Sequence, residues 1–271
     1  MRLILKQIVL LSLKLLFISM IMSYNPYSLE NKIILVTGAS SGIGRSTAIE
    51  CSKLGAHVII TARNEDRLKE TLSMMTGDGH QTIVCDLTNE EQIDELVNSI
   101  PQIDGFVNNA GKSVGVPIQF IKESVLEDLL KTNTVAPIVL LQKLLKKKKL
   151  AKGSSVVFTS SIAATGEVTP GNAMYVASKG AITSFIRCAA LELSTKKIRV
   201  NAICPGMTET PLIRGGSVSD EQLAENERTY PLGRFGQPEE IAWGIIYLLS
   251  DTSKWVTGIN LIVDGGLSIK A

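Results

Sequence analysis

A chain of 271 residues has room for one large α/β domain or two small ones. Hydrophobic residues at 45% and charged residues at 20% exclude a disordered chain and allow a sizeable core. With 28 Lys and Arg against 26 Asp and Glu, the net charge of +2 gives no reason to expect nucleic acid as a partner. Cys51, Cys85, Cys188 and Cys204 show no metal-ligand spacing and the only histidines are His57 and His80, so no metal site is expected. The pattern suits reduced thiols and a cytoplasmic location.

The first 22 residues are an apolar extension. Their length approaches the ~20 residues that span a bilayer, but Lys6 and Lys14 interrupt it, at about 2.5 kcal/mol or more each near the centre. Three readings stand: a start at Met20 or Met22 with the preceding stretch spurious, a membrane-associating segment, or an export signal without a small-residue cleavage site.

From Lys32 onward, short β-branched runs alternate with helical stretches. Strands are expected at 33–36, 58–60, 82–84, 105–107, 155–158, 199–203 and 260–263. Helices are expected over 44–54, 64–75 and 90–100, with long ones on either side of the fifth strand. This alternation predicts right-handed crossovers and a parallel sheet covered on both faces, and the near-continuous apolar strands agree. No composition break divides the chain, so residues 23–271 are expected to form a single Rossmann-like, doubly wound α/β domain of about seven parallel strands.

The first strand runs into Thr37-Gly38-Ala39-Ser40-Ser41-Gly42-Ile43-Gly44. Glycines there permit a sharp turn and close approach to a pyrophosphate, while the helix N-terminus offers free N–H donors. The spacing Gly-x3-Gly-x-Gly departs from the general dinucleotide fingerprint. It resembles instead the cofactor turn of the short-chain dehydrogenase/reductase family. The resemblance extends through Asn108-Asn109-Ala110-Gly111, Tyr175-Val176-Ala177-Ser178-Lys179 and Pro205-Gly206, in that order. The C-terminal stretch from Gly233-Arg234-Phe235 to Asp264-Gly265-Gly266 looks like the branch containing 3-oxoacyl-[acyl-carrier-protein] reductases.

This resemblance implies a nicotinamide cofactor held by Gly38, Ser40, Ser41, Gly42, Ile43 and Gly44, by Asn109, Ala110 and Gly111, and by Pro205, Gly206 and Thr208. Asp86 and Leu87 resemble the pair that edges the adenine, with helix capping the alternative role for Asp86. The second strand ends Thr61-Ala62-Arg63, without the carboxylate that holds a ribose 2′-hydroxyl. Arg63 can instead clamp a 2′-phosphate, which predicts NADP(H).

Tyr175 and Lys179 are four apart, one helical turn, and so share a face. Lowering a tyrosine pKa from about 10 by about 3 units takes roughly 4 kcal/mol. An ammonium about 4–5 Å away, at an effective dielectric of about 20, supplies that order of energy. The family resemblance implies that Ser161 binds the substrate oxygen and that Asn133 holds a water linked to Lys179. The interval from Ser161 to Tyr175 is slightly longer than is commonest in the family, which leaves Ser160 as the alternative donor.

The polar segment from Met207 to Tyr230, with Gly215-Gly216, is expected to be a mobile substrate lid, with Thr208 and Thr210 near the nicotinamide end. Lys143, Lys146–Lys149 and Lys152 form a basic run at a helix end, read either as a solvated face or as a dock for an acidic carrier protein. The resulting expectation is an NADP(H)-dependent oxidoreductase that reduces the carbonyl of a small molecule or acyl thioester to a secondary alcohol. Family resemblance also implies a homotetramer. The rival readings are a non-catalytic nucleotide-binding regulator and a membrane-associated lipid or steroid reductase.

Overall fold

A computed structural model describes residues 24–214 and 219–270. Its centre is one sheet of seven parallel strands in the order β3-β2-β1-β4-β5-β6-β7. The strands are β1 (Ile33–Thr37), β2 (His57–Ala62), β3 (Gln81–Val84), β4 (Ile103–Asn108), β5 (Leu150–Thr159), β6 (Arg199–Pro205) and β7 (Asn260–Val263). All seven fall where apolar runs predict them, and most extend further because parallel pairing recruits flanking polar residues into the ladder.

Strand alternation divides the core into two. Leu35, Phe106, Phe158 and Val200 point to one face. There they meet residues from α3 (Glu90–Ser99), α5 (Ala136–Lys146) and α6 (Ala173–Leu193). Ile34, Val36, Val107 and Ile203 point to the other. They pack with α1 (Gly42–Lys53) and α9 (Pro238–Leu249), and with Leu68 of α2 (Glu65–Ser73). Burial of both faces is what continuous Val/Ile/Leu runs require.

Helix starts follow local chemistry. Asn64 accepts a hydrogen bond from Arg67 N and caps α2, and Asn89 accepts from Glu91 N and Gln92 N and caps α3. α4 (Glu123–Leu130) continues into α5 through a π-helical turn, Lys131–Val135. Such a turn inserts a residue into the helical ladder and re-aims a side chain, here Asn133.

Two expectations need correction. The segment from Met207 to Tyr230 is not a structureless loop: it contains α7 (Pro211–Arg214) and α8 (Asp220–Arg228). A Ser219–Gln222 capping box starts α8, and Leu223, Tyr230 and Phe235 form a small core with Met207, Ile213 and Leu267. Gly215 and Gly216 lie outside the described residues, as does the apolar stretch of residues 1–22. The lysine run is a helix end only in part: Lys143 and Lys146 lie in the last turn of α5 and Lys147 is its C-cap, whereas Lys152 lies on β5. Lys143 pairs with Glu90 and Asp94, and Lys149 Nζ donates to the Ile100 carbonyl at 2.5 Å.

The strand order reverses at β1, whose neighbours β2 and β4 lead away to opposite edges. In open α/β sheets the crevice beyond the strand ends at such a switch point is where ligands bind. The Gly-rich turn lies at that point.

Candidate active site

The turn between β1 and α1 is built on close approach. Gly38 has φ +64°, and a Cβ there would lie 2.8 Å from Ala110 Cα. A Cβ on Gly44 would lie 2.4 Å from the Gly38 carbonyl oxygen, so only glycine lets the helix start this close to the strand end. Ser40, Ser41, Gly42 and Ile43 complete the turn, and among the described residues the N–H groups of Ser40 and Ser41 have no partner. This is a concave row of free donors at a helix N-terminus, which fits a dinucleotide pyrophosphate.

Thr37 locks the turn to the end of β4. Its Oγ1 accepts from Asn109 N at 3.0 Å and Ala110 N at 3.2 Å, and Asn109 Nδ2 donates to the Thr37 and Gly38 carbonyls. Two motifs 72 residues apart thus form one floor, with Gly111 at its far end.

Arg63 stands exposed just past β2, with no ion pair or hydrogen bond among the described residues. Its positive charge helps to lower the carboxyl pKa of Asp86, although hydrogen bonds from Thr88 are the larger lowering cause and burial opposes them. Asp86 accepts from Thr88 N at 2.9 Å and Thr88 Oγ1 at 2.8 Å. It does not cap α3, since Asn89 does so. Leu87 packs against the adjacent core.

Tyr175 and Lys179 project from successive turns of α6, and Ser161 reaches the same point from the end of β5. The Ser161 hydroxyl accepts from Ala163 N at 3.1 Å and acts on the Tyr175 phenol, opposing the rise in its pKa. Ser160 turns away and donates its hydroxyl to the Lys179 main-chain carbonyl at 3.2 Å, so Ser161 is the serine that faces Tyr175. Lys179, 5% exposed, donates to the Thr159 carbonyl at 2.8 Å. Its Nζ lies 5.9 Å from the Tyr175 ring centroid.

The electrostatics differ from the simple expectation of a lysine that depresses a tyrosine. Burial pushes the Tyr175 phenol up, partly offset by the Ser161 hydrogen bond, and burial brings Lys179 down to about 8. Desolvation is the largest cause of both shifts, and Nζ is directed at the Thr159 carbonyl.

Asn133 is buried, and its side chain bridges both sides of Lys112. It accepts from Lys112 N at 2.9 Å and donates to the Lys112 carbonyl at 2.8 Å and to Ser178 Oγ at 3.0 Å. A Cβ on Gly111 would lie 3.3 Å from Asn133 Oδ1 and 3.4 Å from Lys179 Nζ, so both polar groups converge on that glycine.

The β6 end closes the crevice. Pro205 ends the strand, and a Cβ on Gly206 would meet Asp264 Cα at 3.0 Å and Tyr230 Cε1 at 3.2 Å. Thr208 is buried and donates to the Gly206 carbonyl, while Thr210 lies against Gly42. Sequence reasoning also passed over Tyr230, whose hydroxyl accepts from Met207 N at 2.8 Å and ties the end of this segment to its start. Its only sequence signal is an aromatic residue closing the polar segment.

A doubly wound sheet, a glycine cradle at its switch point and a Ser/Tyr/Lys cluster beside it define an oxidoreductase of the nicotinamide-dependent kind. The family model described as "Enoyl-(Acyl carrier protein) reductase" matches residues 38–268. The chain belongs to the short-chain dehydrogenase/reductase family. It is 35% identical over 240 residues to a 3-oxoacyl-[acyl-carrier-protein] reductase of Rickettsia bellii, covering 88% of this chain and 98% of that protein. It is also 35% identical to the enzyme of that name from Thermotoga maritima, covering 89% and 99%. An actinorhodin polyketide ketoreductase variant solved with NADPH superposes with a TM-score of 0.81 at 31% identity, covering 87% of this chain and 97% of that one.

Proposed function

We propose that this oxidoreductase is an NADP(H)-dependent ketoreductase that reduces a 3-oxoacyl thioester or related ketone to a secondary alcohol. The observation that carries the reading is the convergence of the Ser161 and Tyr175 hydroxyls beside buried Lys179, at the mouth of a glycine cradle. The names of the 3-oxoacyl reductases and of the NADPH-bound ketoreductase support it.

Reduced nicotinamide, when bound, supplies the hydride that adds to the carbonyl carbon. Ser161 orients the carbonyl oxygen and stabilises the charge that develops on it. Tyr175 donates its phenolic proton to that oxygen as the C–O double bond becomes single. Lys179 in its protonated form stabilises the phenolate left behind, and Asn133 fixes the floor through Lys112. Gly38 to Gly44, Asn109 to Gly111, Pro205, Gly206 and Thr208 would frame the dinucleotide, with Asp86 and Leu87 at the adenine.

Arg63 selects the phosphorylated dinucleotide in this reading, because a free guanidinium stands where a carboxylate would repel a 2′-phosphate. Exchange of Arg63 for Ala should raise the KM for NADPH at least about tenfold and leave that for NADH nearly unchanged, as loss of a charge-assisted pair predicts. Equal effects on both cofactors would sink this assignment.

The proposal carries a homotetramer, which sedimentation velocity tests, and a domain that spans residues 23–271. It also carries a cytoplasmic location. Membrane association through residues 1–22 is the alternative, decided by fractionation with and without them.

A further inference from the structure

Arg45 makes four side-chain hydrogen bonds, yet offers no charge to a ligand. From α1 its guanidinium reaches α2, where it is bidentate to Glu70 at 3.0 and 2.7 Å and donates through Nε to Thr71 Oγ1 at 3.1 Å. Nη2 also donates to the Ser40 carbonyl at 2.7 Å. Thr71, fully buried, shares its hydroxyl proton between the preceding carbonyl of the same turn, that of Ala39, at 2.9 Å and the Arg67 carbonyl of its own helix at 3.0 Å. Two consecutive carbonyls of the glycine turn are thus drawn toward one side.

In a trans peptide the C=O and N–H point in opposite directions, and no peptide among the described residues is cis. Pulling the Ala39 and Ser40 carbonyls toward Arg45 and Thr71 therefore turns the N–H groups of Ser40 and Ser41 the other way. Among the described residues neither of these donors has a protein partner. We propose that Arg45, Glu70 and Thr71 are positioning residues that fix these successive peptides with their N–H groups outward, preorganised for a dinucleotide pyrophosphate. The inference rests on reading the turn as a nicotinamide dinucleotide site, and it adds a division of labour. Arg45 is neutralised by Glu70, with its side chain 22% exposed, whereas Arg63 is free and exposed. The clamp acts on the part common to NADPH and NADH, and Arg63 on the part that differs.

The test is titration of the purified full chain with NADPH and with NADH, without substrate, in parallel with thermal melting and steady-state kinetics. Arg45→Met, which keeps the apolar stem, should weaken both dinucleotides by the same factor of about ten, the scale expected for lost preorganisation and charge-assisted bonds. It should raise the KM for NADPH with kcat at saturation nearly unchanged. Glu70→Gln, at a more exposed site, keeps the fold safe and should give a smaller loss, again equal for both. Dissociation constants unchanged in both variants overturn the clamp, even if melting temperature falls, because the bonds would then be purely structural. A loss confined to NADPH also overturns it, because Arg45 would then read the 2′-phosphate. An unaltered protein that binds neither dinucleotide overturns the clamp and the site reading together.

Discussion

Burial sets the chemistry of Lys179. Its ammonium loses its proton at about 8 instead of the usual 10.5 because the side chain is desolvated. The folded chain has released this proton between those two pH values while the unfolded chain still holds it. Stability due to this group is therefore lowest and constant below about pH 8 and rises with pH through that window, by at most about 3 kcal/mol. Cys85 and Cys204, both pushed up to about 11 chiefly by burial, act in the opposite sense above their ordinary value of 9. Urea denaturation of the wild type and of Lys179→Met across this range should show the lysine's slope in the wild type alone. In the proposed mechanism reduction needs the ammonium, so kcat/KM should fall as pH rises through about 8. A profile flat through pH 9 would contradict that role.

At the same scale, removal of the Tyr175 hydroxyl tests proton donation. Tyr175→Phe should lower kcat by about 100-fold or more, in line with loss of general acid catalysis, while NADPH still binds. Ser161 Oγ keeps its bond from Ala163 N, so the fold should survive.

Elements were legible where periodicity alone decides them. The five inner strands are apolar runs buried on both faces, the half-exposed edge strands β3 and β7 are short apolar runs, and nothing local competes with that pattern. Asn64 and Asn89 sit at helix starts as capping chemistry predicts. The lid helices were missed because α8 is short and polar and buries Leu223 in a small satellite core. The Ser219-to-Gln222 spacing was the available signal. Of the candidate site, the sequence reading named Ser161, Tyr175 and Lys179, which the fold brings together. It could not name Arg45 and Glu70, because contacts across 25 residues between two helices leave no local pattern.

The glycine turn makes a prediction at the level of the strand–turn–helix unit. Gly44→Ala forces a Cβ to within 2.4 Å of a carbonyl oxygen that Ala cannot displace without moving α1. It should cost about 1–3 kcal/mol in urea denaturation, the range for overpacked sites, and weaken dinucleotide binding. Gly115→Ala, with nothing within 4 Å of the added carbon, is the matched control and should be neutral in both measurements.

For the molecule as a whole, the fold holds its N-terminal edge through Leu29, which is fully buried and donates its N–H to the Leu54 carbonyl at 2.9 Å. Lys32 adds an ion pair to Asp251 across the sheet's lower end. A chain beginning at Met22 keeps both contacts and should melt within a degree or two of the full chain. Melting lowered by about 5 °C or more, a shift equivalent to more than 1 kcal/mol, would show that the extension packs on the domain.

The central claim is that this architecture moves a hydride from NADPH to a carbonyl with Tyr175 as proton donor. The most direct measurement is the oxidation of NADPH and of NADH against acetoacetyl thioesters, diketones, quinones and a ketosteroid, with Tyr175→Phe alongside. Turnover that prefers NADPH and an acetoacetyl thioester, and disappears with Tyr175→Phe, is the predicted result. NADPH binding without turnover on any of these carbonyls, or turnover that persists in Tyr175→Phe, would contradict it.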